Sequence, residues 1–333
     1  MKTVLARGEP PIRAARRSAP AFPGQSLTVK TILVPLDFSE ASIRALRYSI
    51  GLAERFEAAI HLVHVQPTDE LTAVARAGHF MLDCADAIAL MQDRLAEIQI
   101  EQHAPFWPDN CHILTGRPYE EVCKLARELE ADLIVLPTRG NSGLKHIVLG
   151  STAERIVRFA PCPVLVLRGT EYRAAAPDNL AGLPFKVRKI LVPVDFSKAS
   201  LAGVRYAARM ARSTGAALRL LHVIFPFAQV FGIDRVGASS KSIIEVATET
   251  AAEEMTALKT MSFLRGVTCE TEIRVGAAVD LISGESSQAE IDLLVISTHG
   301  RTGFKRTLLG SVAEHIVRYS ECPVIAVPCR SRF

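Results

Sequence analysis

The chain is 333 residues long, 49% hydrophobic and 22% charged, which is enough apolar material for two ordinary domain cores. Its net charge of +4 is concentrated in residues 1–30, where six basic residues and one acidic residue give +5 and leave −1 for the other 303. The body therefore lacks the basic balance of a nucleic-acid binder, and no apolar run reaches the length of about 18 residues that a membrane span requires.

The N-terminal segment, residues 1–29, is predicted to be a disordered basic extension. It is rich in proline, alanine and arginine and has no apolar stretch of the kind that a signal peptide carries. The seven cysteines are scattered, without the CxxC pairs or Cys/His clusters of a metal site. We therefore expect a cytoplasmic protein with reduced cysteines, no protein-bound metal, and neither a nucleic-acid nor a membrane partner.

Two long segments of the chain occur twice. Residues 31–65 align without a gap to 189–223 at an offset of 158, and residues 131–167 align to 291–327 at an offset of 160. Two blocks in the same order, with nearly the same offset, indicate the duplication of a whole domain. The predicted parts are the extension at 1–29, a first domain at 30–168, a linker at 169–187 and a second domain at 188–329.

Each copy alternates strands with helices along the chain. Apolar runs predict five strands per copy, near 32–36, 60–65, 111–115, 133–136 and 164–167, and near 190–194, 218–223, 269–275, 293–296 and 324–327. Ser39 and Ser197 are predicted to cap the first helix of each copy, and longer helical stretches are expected at 71–102 and 242–264. This order predicts an α/β fold with two tandem, open, doubly wound, parallel five-stranded sheets of the Rossmann-like type.

Ligands of such sheets bind at the carboxyl ends of the strands, where the strand order reverses. If the first and fourth strands flank that point, Asp37 faces the Gly140 loop and Asp195 faces the Gly300 loop. Both loops run from a glycine through nine residues to a Gly-Ser pair, Gly150-Ser151 and Gly310-Ser311. Glycines let backbone N–H groups approach a phosphate closely, and a helix N-terminus supplies a partial positive charge.

Together these motifs resemble the universal stress protein family. Each copy has a strand ending in Pro-x-Asp-Phe-Ser, a His-Val pair in the second strand, and Gly-9x-Gly-Ser before an Ala-Glu-x-Ile-Val helix. The resemblance covers nearly the full length of both copies and implies a tandem member with an adenine nucleotide alpha-hydrolase-like fold. Nucleotide-binding members carry Gly-2x-Gly-9x-Gly-Ser/Thr and hold ATP, so the resemblance implies ATP, with or without Mg²⁺, as the ligand.

The resemblance also implies which residues would hold the nucleotide. In the second copy, Asp195 would meet the adenosine moiety and the backbone of Val223 the adenine edge, while Gly300, Gly310, Ser311 and Val312 would cradle the phosphates. Pro193, Ser297 and His299 are further nucleotide-binding candidates in this copy. In the first copy, the corresponding residues are Asp37, Val65, Gly140, Gly150, Ser151 and Thr152.

Both copies depart from the family motif at its first glycine. Pro137 stands there in the first copy and removes a backbone N–H, whereas Ser297 in the second copy keeps the N–H but adds a Cβ. The residue before the next glycine also differs, being Arg139 in the first copy and His299 in the second. The second copy is therefore the better candidate for nucleotide binding.

A purely structural interpretation also explains the shared residues. Ser151-x-x-Glu154 and Ser311-x-x-Glu314 have the spacing of capping boxes, which would keep these residues without any ligand. Gly140 and Gly300 could be turn glycines, and the two aspartates could orient the turn into the first helix. His64 and His222, at the ends of buried strands, are expected to be structural.

No general base and nucleophile pair recurs at a shared position in both copies, so a dedicated enzyme is not expected. We expect an adenine-nucleotide-binding stress-response regulator or chaperone-like module. The alternatives are a nucleotide-free interaction scaffold with degenerate loops, and a weak ATPase or autokinase with Ser311 or Thr302 as acceptor. Single-domain relatives pair through their last strands, which implies that strands 164–167 and 324–327 pair within this chain. Whether two chains also form a homodimer stays open.

Overall fold

The computed structural model describes residues 26–67, 89, 93, 110–138, 149–168, 185–226, 242–288, 290–300 and 309–329. Most of the predicted extension, most of the predicted helix at 71–102, and Gly140 lie outside these residues. In the first half of the chain the strands are β1 (Thr31–Pro35), β2 (Ala59–Gln66), β3 (Cys111–Thr115), β4 (Leu133–Pro137) and β5 (Val164–Leu167). In the second half they are β6 (Lys189–Pro193), β7 (Ala217–Ile224), β8 (Cys269–Val275), β9 (Leu293–Ser297) and β10 (Val324–Val327).

The described helices lie between these strands. In the first half they are α1 (Glu40–Phe56), α2 (Pro118–Glu128) and α3 (Ser151–Phe159). In the second half they are α4 (Lys198–Thr214), α5 (Ile243–Lys259), α6 (Ala278–Ser286) and α7 (Ser311–Tyr319). The predicted helical stretch at 242–264 is thus one α-helix that ends at Lys259, followed by a short 3-10 helix at Ser262–Leu264.

The ten strands form one sheet in the order β3-β2-β1-β4-β5-β10-β9-β6-β7-β8. The strands of each half pair in parallel, and in each half the order reverses beside the first strand, as predicted. β5 and β10 pair antiparallel, with Val166 opposite Val324 and Val164 opposite Ala326. The two predicted five-stranded sheets are therefore joined edge to edge within one chain, and this pairing covers an apolar edge of each half.

Alternate residues of the central strands pack into two apolar layers. Ile32 and Val34 of β1 face the layer that contains α1 and α4, whereas Leu33 faces the layer that contains α2, α3, α6 and α7. Because both faces are covered, these strands are continuous apolar runs, and β4 and β9 are buried over nearly their whole length. Ser39 and Ser197 cap α1 and α4 as predicted, since their hydroxyls accept the N–H groups of Ser42 and Ser200.

Short segments before β1 and β6 cross between the halves. Leu27 and Val29 are buried, and the backbone N–H of Leu27 donates to the carbonyl of Arg209 on α4 at 3.1 Å. At the equivalent place in the second half, Phe185 packs edge-on against Tyr48 of α1, with ring centroids 5.8 Å apart. Residues 26–29 and 185–187, which the sequence analysis assigned to the extension and the linker, therefore pack against the domains.

Two further findings concern cysteines and membranes. Cys162 and Cys322, equivalent in the repeat, are 5% and 6% exposed, as expected for small buried side chains. Burial raises the pKa of Cys162 far above its ordinary value, which keeps its thiol protonated. Within the part of the chain that the structure describes, no helix is long and apolar enough to cross a bilayer.

Candidate functional site

A cleft of about 310 Å³ opens at the carboxyl ends of β6, β7 and β9. It lies where the strand order reverses between β6 and β9, and its volume is at the lower end of the range of about 300–1,000 Å³ typical of ligand sites. All nine residues that the sequence analysis singled out in the second copy line this cleft: Pro193, Asp195, Val223, Ser297, His299, Gly300, Gly310, Ser311 and Val312. The fold therefore brings four separate segments of the chain, 193–195, 223, 297–300 and 310–312, to one place.

The turn after β6 holds Asp195 at the cleft. Phe196 has a left-handed backbone, with φ of 62°, which a non-glycine residue adopts at a cost of about 1–2 kcal/mol. Its ring packs on His222 with a centroid distance of 4.6 Å, and His222 Nδ1 lies 2.7 Å from the carbonyl oxygen of Val194. His222 is thus structural, as predicted, and it supports the turn that presents Asp195.

The first half repeats this turn. Phe38 has φ of 60°, and His64 Nδ1 lies 2.8 Å from the carbonyl oxygen of Leu36. The backbone N–H and the hydroxyl of Ser39 both donate to Asp37 Oδ1, at 3.0 Å and 2.6 Å. The Asp-Phe-Ser motif therefore forms the same turn in both copies.

Asp195 contacts two loops through its two oxygens. Oδ1 accepts the N–H of Ser197 at 2.9 Å, so the aspartate does orient the turn into α4. Oδ2 lies so close to Gly300 that a Cβ added there would be 2.8 Å from it. Gly300 is not among the left-handed glycines of the described chain, so a positive φ is not the reason for a glycine at this position. A Cβ at this position would have to displace the carboxylate of Asp195.

The capping boxes proposed from the sequence are wrong in both halves. Gly310, not Ser311, occupies the cap position of α7, with φ −62° and ψ 141° and no side-chain cap bond. Its own N–H closes the preceding loop by donating to the carbonyl of Thr298 at 2.9 Å. The carboxylate of Glu314 instead contacts Arg318 at 3.1 Å. The serine cannot act as the cap because it already has helical geometry at the first position of the helix.

In the first half, Gly150 likewise caps α3 without a side-chain bond, and Glu154 contacts Arg158 at 3.1 Å and Arg318 at 3.2 Å. Ser151 is again the first helical residue rather than the cap.

The N-terminus of α7 consequently lies at the cleft without a side-chain cap from Gly310. The first intrahelical bond runs from Glu314 N–H to the carbonyl of Gly310 at 2.8 Å. The N–H groups of Ser311, Val312 and Ala313 have no acceptor within the helix, and all three residues line the cleft. Three such groups at the positive end of a helix dipole form an arrangement that favours an anion.

The loop after β9 is held by its own hydroxyl groups. Ser297, at the first motif glycine, donates from Oγ to the carbonyl of His299 at 2.7 Å. Thr298 Oγ1 lies 2.9 Å from His299 Nδ1. The side chain that replaces the motif glycine is therefore bonded to its own loop, while the residue still lines the cleft. Within the described residues, no group of three or more His, Cys, Asp or Glu could hold a metal ion.

The corresponding site of the first half is described only in part. Asp37 begins the turn between β1 and α1, and Val65, 8% exposed, lies near the end of β2. Gly150 N–H donates to the carbonyl of Thr138 at 2.8 Å, and Ser151 and Thr152 are exposed at the start of α3. Gly140 lies outside the described residues.

One wall of the cleft was missed by the sequence analysis. Ala278 and Ile282 of α6 line it, and the hydroxyl of Ser200 accepts the N–H of Asp195 at 3.2 Å. The repeated glycines after β3 and β8, Gly116 and Gly276, were a usable signal, since they mark the same edge of the sheet.

Comparison with known proteins agrees with this architecture. The model of the universal stress protein family matches residues 28–168 and 186–328. The chain is 32% identical over 141 residues to a universal stress protein of Methanocaldococcus jannaschii, an alignment that covers 42% of this chain and 82% of that protein. It is 28% identical over 311 residues to a universal stress protein of Mycolicibacterium smegmatis, which covers 91% of this chain and 98% of that one.

Solved structures show the same fold over most of the chain. A universal stress protein from Archaeoglobus fulgidus superposes with a TM-score of 0.59 at 20% identity, over 90% of this chain and 98% of that one. A putative universal stress protein from Pseudomonas aeruginosa gives a TM-score of 0.58 at 19% identity, over 90% and 93% of the two chains. Since the family model matches both halves and a relative aligns along nearly the whole length, the chain belongs to the universal stress protein family, as a tandem member with two such domains.

Proposed function

We propose that this protein binds an adenine nucleotide, ATP in the first instance, in the cleft of its second half, and acts as a nucleotide-responsive regulator or chaperone-like module. The observation that carries the proposal is the uncapped N-terminus of α7, which shares one cleft with Asp195 and the closely packed Gly300. The positive end of the α7 dipole and the carboxylate of Asp195 together suit a ligand that has an anionic end and hydroxyl groups in its middle part.

Each part of a nucleotide has a matching wall. The apolar side chains of Leu221, Val223 and Ile282 suit the faces of a base, and Asp195 is an acceptor for ribose hydroxyls. Phosphates fit the end formed by Gly310 and Ser311. Asp195 is the one carboxylate among the described lining residues, so a Mg²⁺ ion would be held chiefly by the phosphates themselves.

The second half is the favoured site. At the first motif glycine it has Ser297, whose hydroxyl is bonded within the loop, whereas the first half has Pro137, which offers no N–H to a phosphate. A weaker site in the first half would use Asp37 and Val65 with Gly140, Gly150, Ser151 and Thr152.

Calorimetric titration with ATP·Mg, ADP and AMP tests the proposal, comparing the wild type with Gly310→Val and the matched variant Gly150→Val. A Cβ on Gly310 would lie 3.6 Å from the carbonyl oxygen of Thr298, and a Cβ on Gly150 would lie 3.6 Å from that of Thr138. Both distances are ordinary van der Waals contacts. We expect Gly310→Val to weaken ATP binding at least about tenfold, and Gly150→Val to leave the main site intact. A thermal melt of each variant controls for folding.

The opposite results are equally clear. Wild-type protein freed of nucleotide that shows no saturable binding at millimolar ligand would refute the proposal. That result would support the second candidate function, a nucleotide-free interaction scaffold, which the side chain of Ser297 at the motif glycine favours. Metal-dependent ATP turnover that Asp195→Asn abolishes would instead indicate the weak ATPase.

A further inference from the structure

We propose that His299 makes the second-half cleft selective for phosphate-bearing ligands through the proton on its imidazole, so that ATP binds more tightly in mildly acidic solution. The inference rests on the proposed function and deepens it, because it concerns which part of the ligand is recognised and under which conditions. It assigns to one side chain a role that the backbone groups of the cleft cannot have, since their partial charges do not change with pH.

His299 lies at the anion-binding end of the cleft. It lines the cleft directly before Gly300, and a Cβ on Gly310 would be 3.9 Å from its Cα. Its backbone therefore packs on the residue that caps α7, beside the uncapped N–H groups of Ser311 and Val312. An imidazole and a helix N-terminus thus share one end of the cleft.

The imidazole is oriented before any ligand arrives. Thr298, 2% exposed, places its hydroxyl 2.9 Å from Nδ1, and Ser297, 9% exposed, donates to the carbonyl oxygen of the same histidine at 2.7 Å. Because Thr298 engages Nδ1, we assign the contact with a ligand to Nε2. A side chain held in this way loses little freedom on binding, which favours affinity.

The charges around His299 make its proton matter. On the opposite wall, Asp195 is the other titratable group among the described lining residues, and its Oδ1 is bonded to the N–H of Ser197. On α7, Glu314 is paired with Arg318 at 3.1 Å, and on α6 the exposed Asp280 does not line the cleft. Among the lining side chains that the structure describes, a neutral imidazole leaves a net charge of −1 from Asp195, and protonation brings that balance to zero.

The repeat supplies a natural comparison. The offset of 160 that aligns the two Gly-rich loops places Arg139 at the position of His299. Arginine is charged at every physiological pH, whereas histidine changes charge within that range. His299→Arg therefore gives the second half the residue of the first and removes the proton dependence while keeping a cation.

Calorimetry with ATP and with adenosine tests the inference at about pH 6 and about pH 8, which bracket the ordinary titration range of imidazole. Between about pH 8 and about pH 6, the affinity of the wild type for ATP should increase about tenfold more than the affinity of His299→Gln does. The affinity of His299→Arg for ATP should change with pH as the affinity of His299→Gln does. The affinity for adenosine should change with pH equally in the wild type and in His299→Gln. The comparison between variants removes the ligand's own protonation, which is the same for all.

A second readout separates charge from folding. Titrations near pH 7 in two buffers of different ionisation enthalpy measure the protons taken up on binding, and the wild type should take up more than His299→Gln. Equal proton uptake and an equal pH trend in the two proteins would overturn the inference while leaving the proposed function standing. ATP that binds neither protein at either pH would overturn the proposed function and this inference with it.

Discussion

Replacing Glu285 by alanine should destabilise the second half strongly, because its carboxylate is the buried centre of an ion network. Glu285 is 1% exposed, and its two oxygens lie 2.9 Å from Arg219 Nη1 and 2.7 Å from Arg274 Nη2. Arg219 also contacts Glu272 at 2.6 Å, and the hydrogen bonds that its guanidinium donates to Glu272 raise the pKa of Arg219. The network ties α6 to β7 and β8, next to the cleft wall formed by Ala278 and Ile282.

The expected magnitude follows from what the alanine leaves behind. Breaking a buried ion pair by removing one partner costs about 3–5 kcal/mol, because the other charge stays buried without compensation. Here the loss should be near the low end, about 3 kcal/mol, since Arg219 keeps Glu272 and the side chain of Arg274 is 37% exposed to water. Urea unfolding followed by circular dichroism measures this difference.

Two controls make the measurement decisive. Glu290→Ala removes a 73% exposed carboxylate that contacts Lys189 at 3.4 Å, and it should change the free energy of unfolding by less than about 1 kcal/mol. The first half has neutral residues at the network positions, so a combined variant with Arg219→His, Glu272→His, Arg274→Leu and Glu285→Leu should recover most of the lost stability. A loss below about 1 kcal/mol in Glu285→Ala would refute the reasoning.

Three further predictions concern other parts of the chain. Gly300→Ala should weaken ATP binding at least about tenfold by displacing Asp195, whose Oδ2 would lie 2.8 Å from the new Cβ, and calorimetry showing unchanged affinity would contradict this. Arg168→Ala should lower the free energy of unfolding by about 1 kcal/mol, because the guanidinium donates to the carbonyls of Arg318 and Tyr319 at the end of α7 in the other half. Urea unfolding measures this difference, with Lys186→Ala as an exposed control. An equal loss in the two variants would contradict the prediction. Burial lowers the pKa of His61 and of His112. As the pH falls below about 6.5, the unfolded chain therefore takes up protons before the folded protein does, and the free energy of unfolding decreases until the pH reaches the lower pKa of the folded state. Urea unfolding at about pH 7.5 and 5.5 should show a smaller loss in His112→Leu than in the wild type, and an equal loss would argue against it.

Local patterns predicted much of the fold because each was repeated. Strand runs such as 133–136 are apolar throughout, since both faces of the sheet are covered, and the structure has strands there. Ser39 and Ser197 were identifiable as caps because each precedes an amphipathic helix. The pairing of β5 with β10 came from the family resemblance, not from any pattern in the two strands themselves.

The sequence could not decide the cap of α7, because Gly310 and Ser311 are both acceptable cap residues and the choice depends on backbone dihedrals. The strand order predicted that Asp195 faces the Gly300 loop, but it could not predict that Oδ2 would lie 2.8 Å from a Cβ on Gly300, since that distance depends on residues more than a hundred positions apart. The ion network around Glu285 was missed for the same reason. Its members are ordinary surface residue types, and Glu285 becomes buried only when α6 packs on β7 and β8.

A crystal structure of the protein grown with ATP·Mg would show directly whether the second-half cleft holds a nucleotide. We expect electron density for the nucleotide between β6 and β9, with a ribose hydroxyl within hydrogen-bonding distance of Asp195 and phosphate oxygens on the N–H groups of Ser311 and Val312. An empty second-half cleft at saturating ATP, or nucleotide bound elsewhere on the chain, would contradict this expectation.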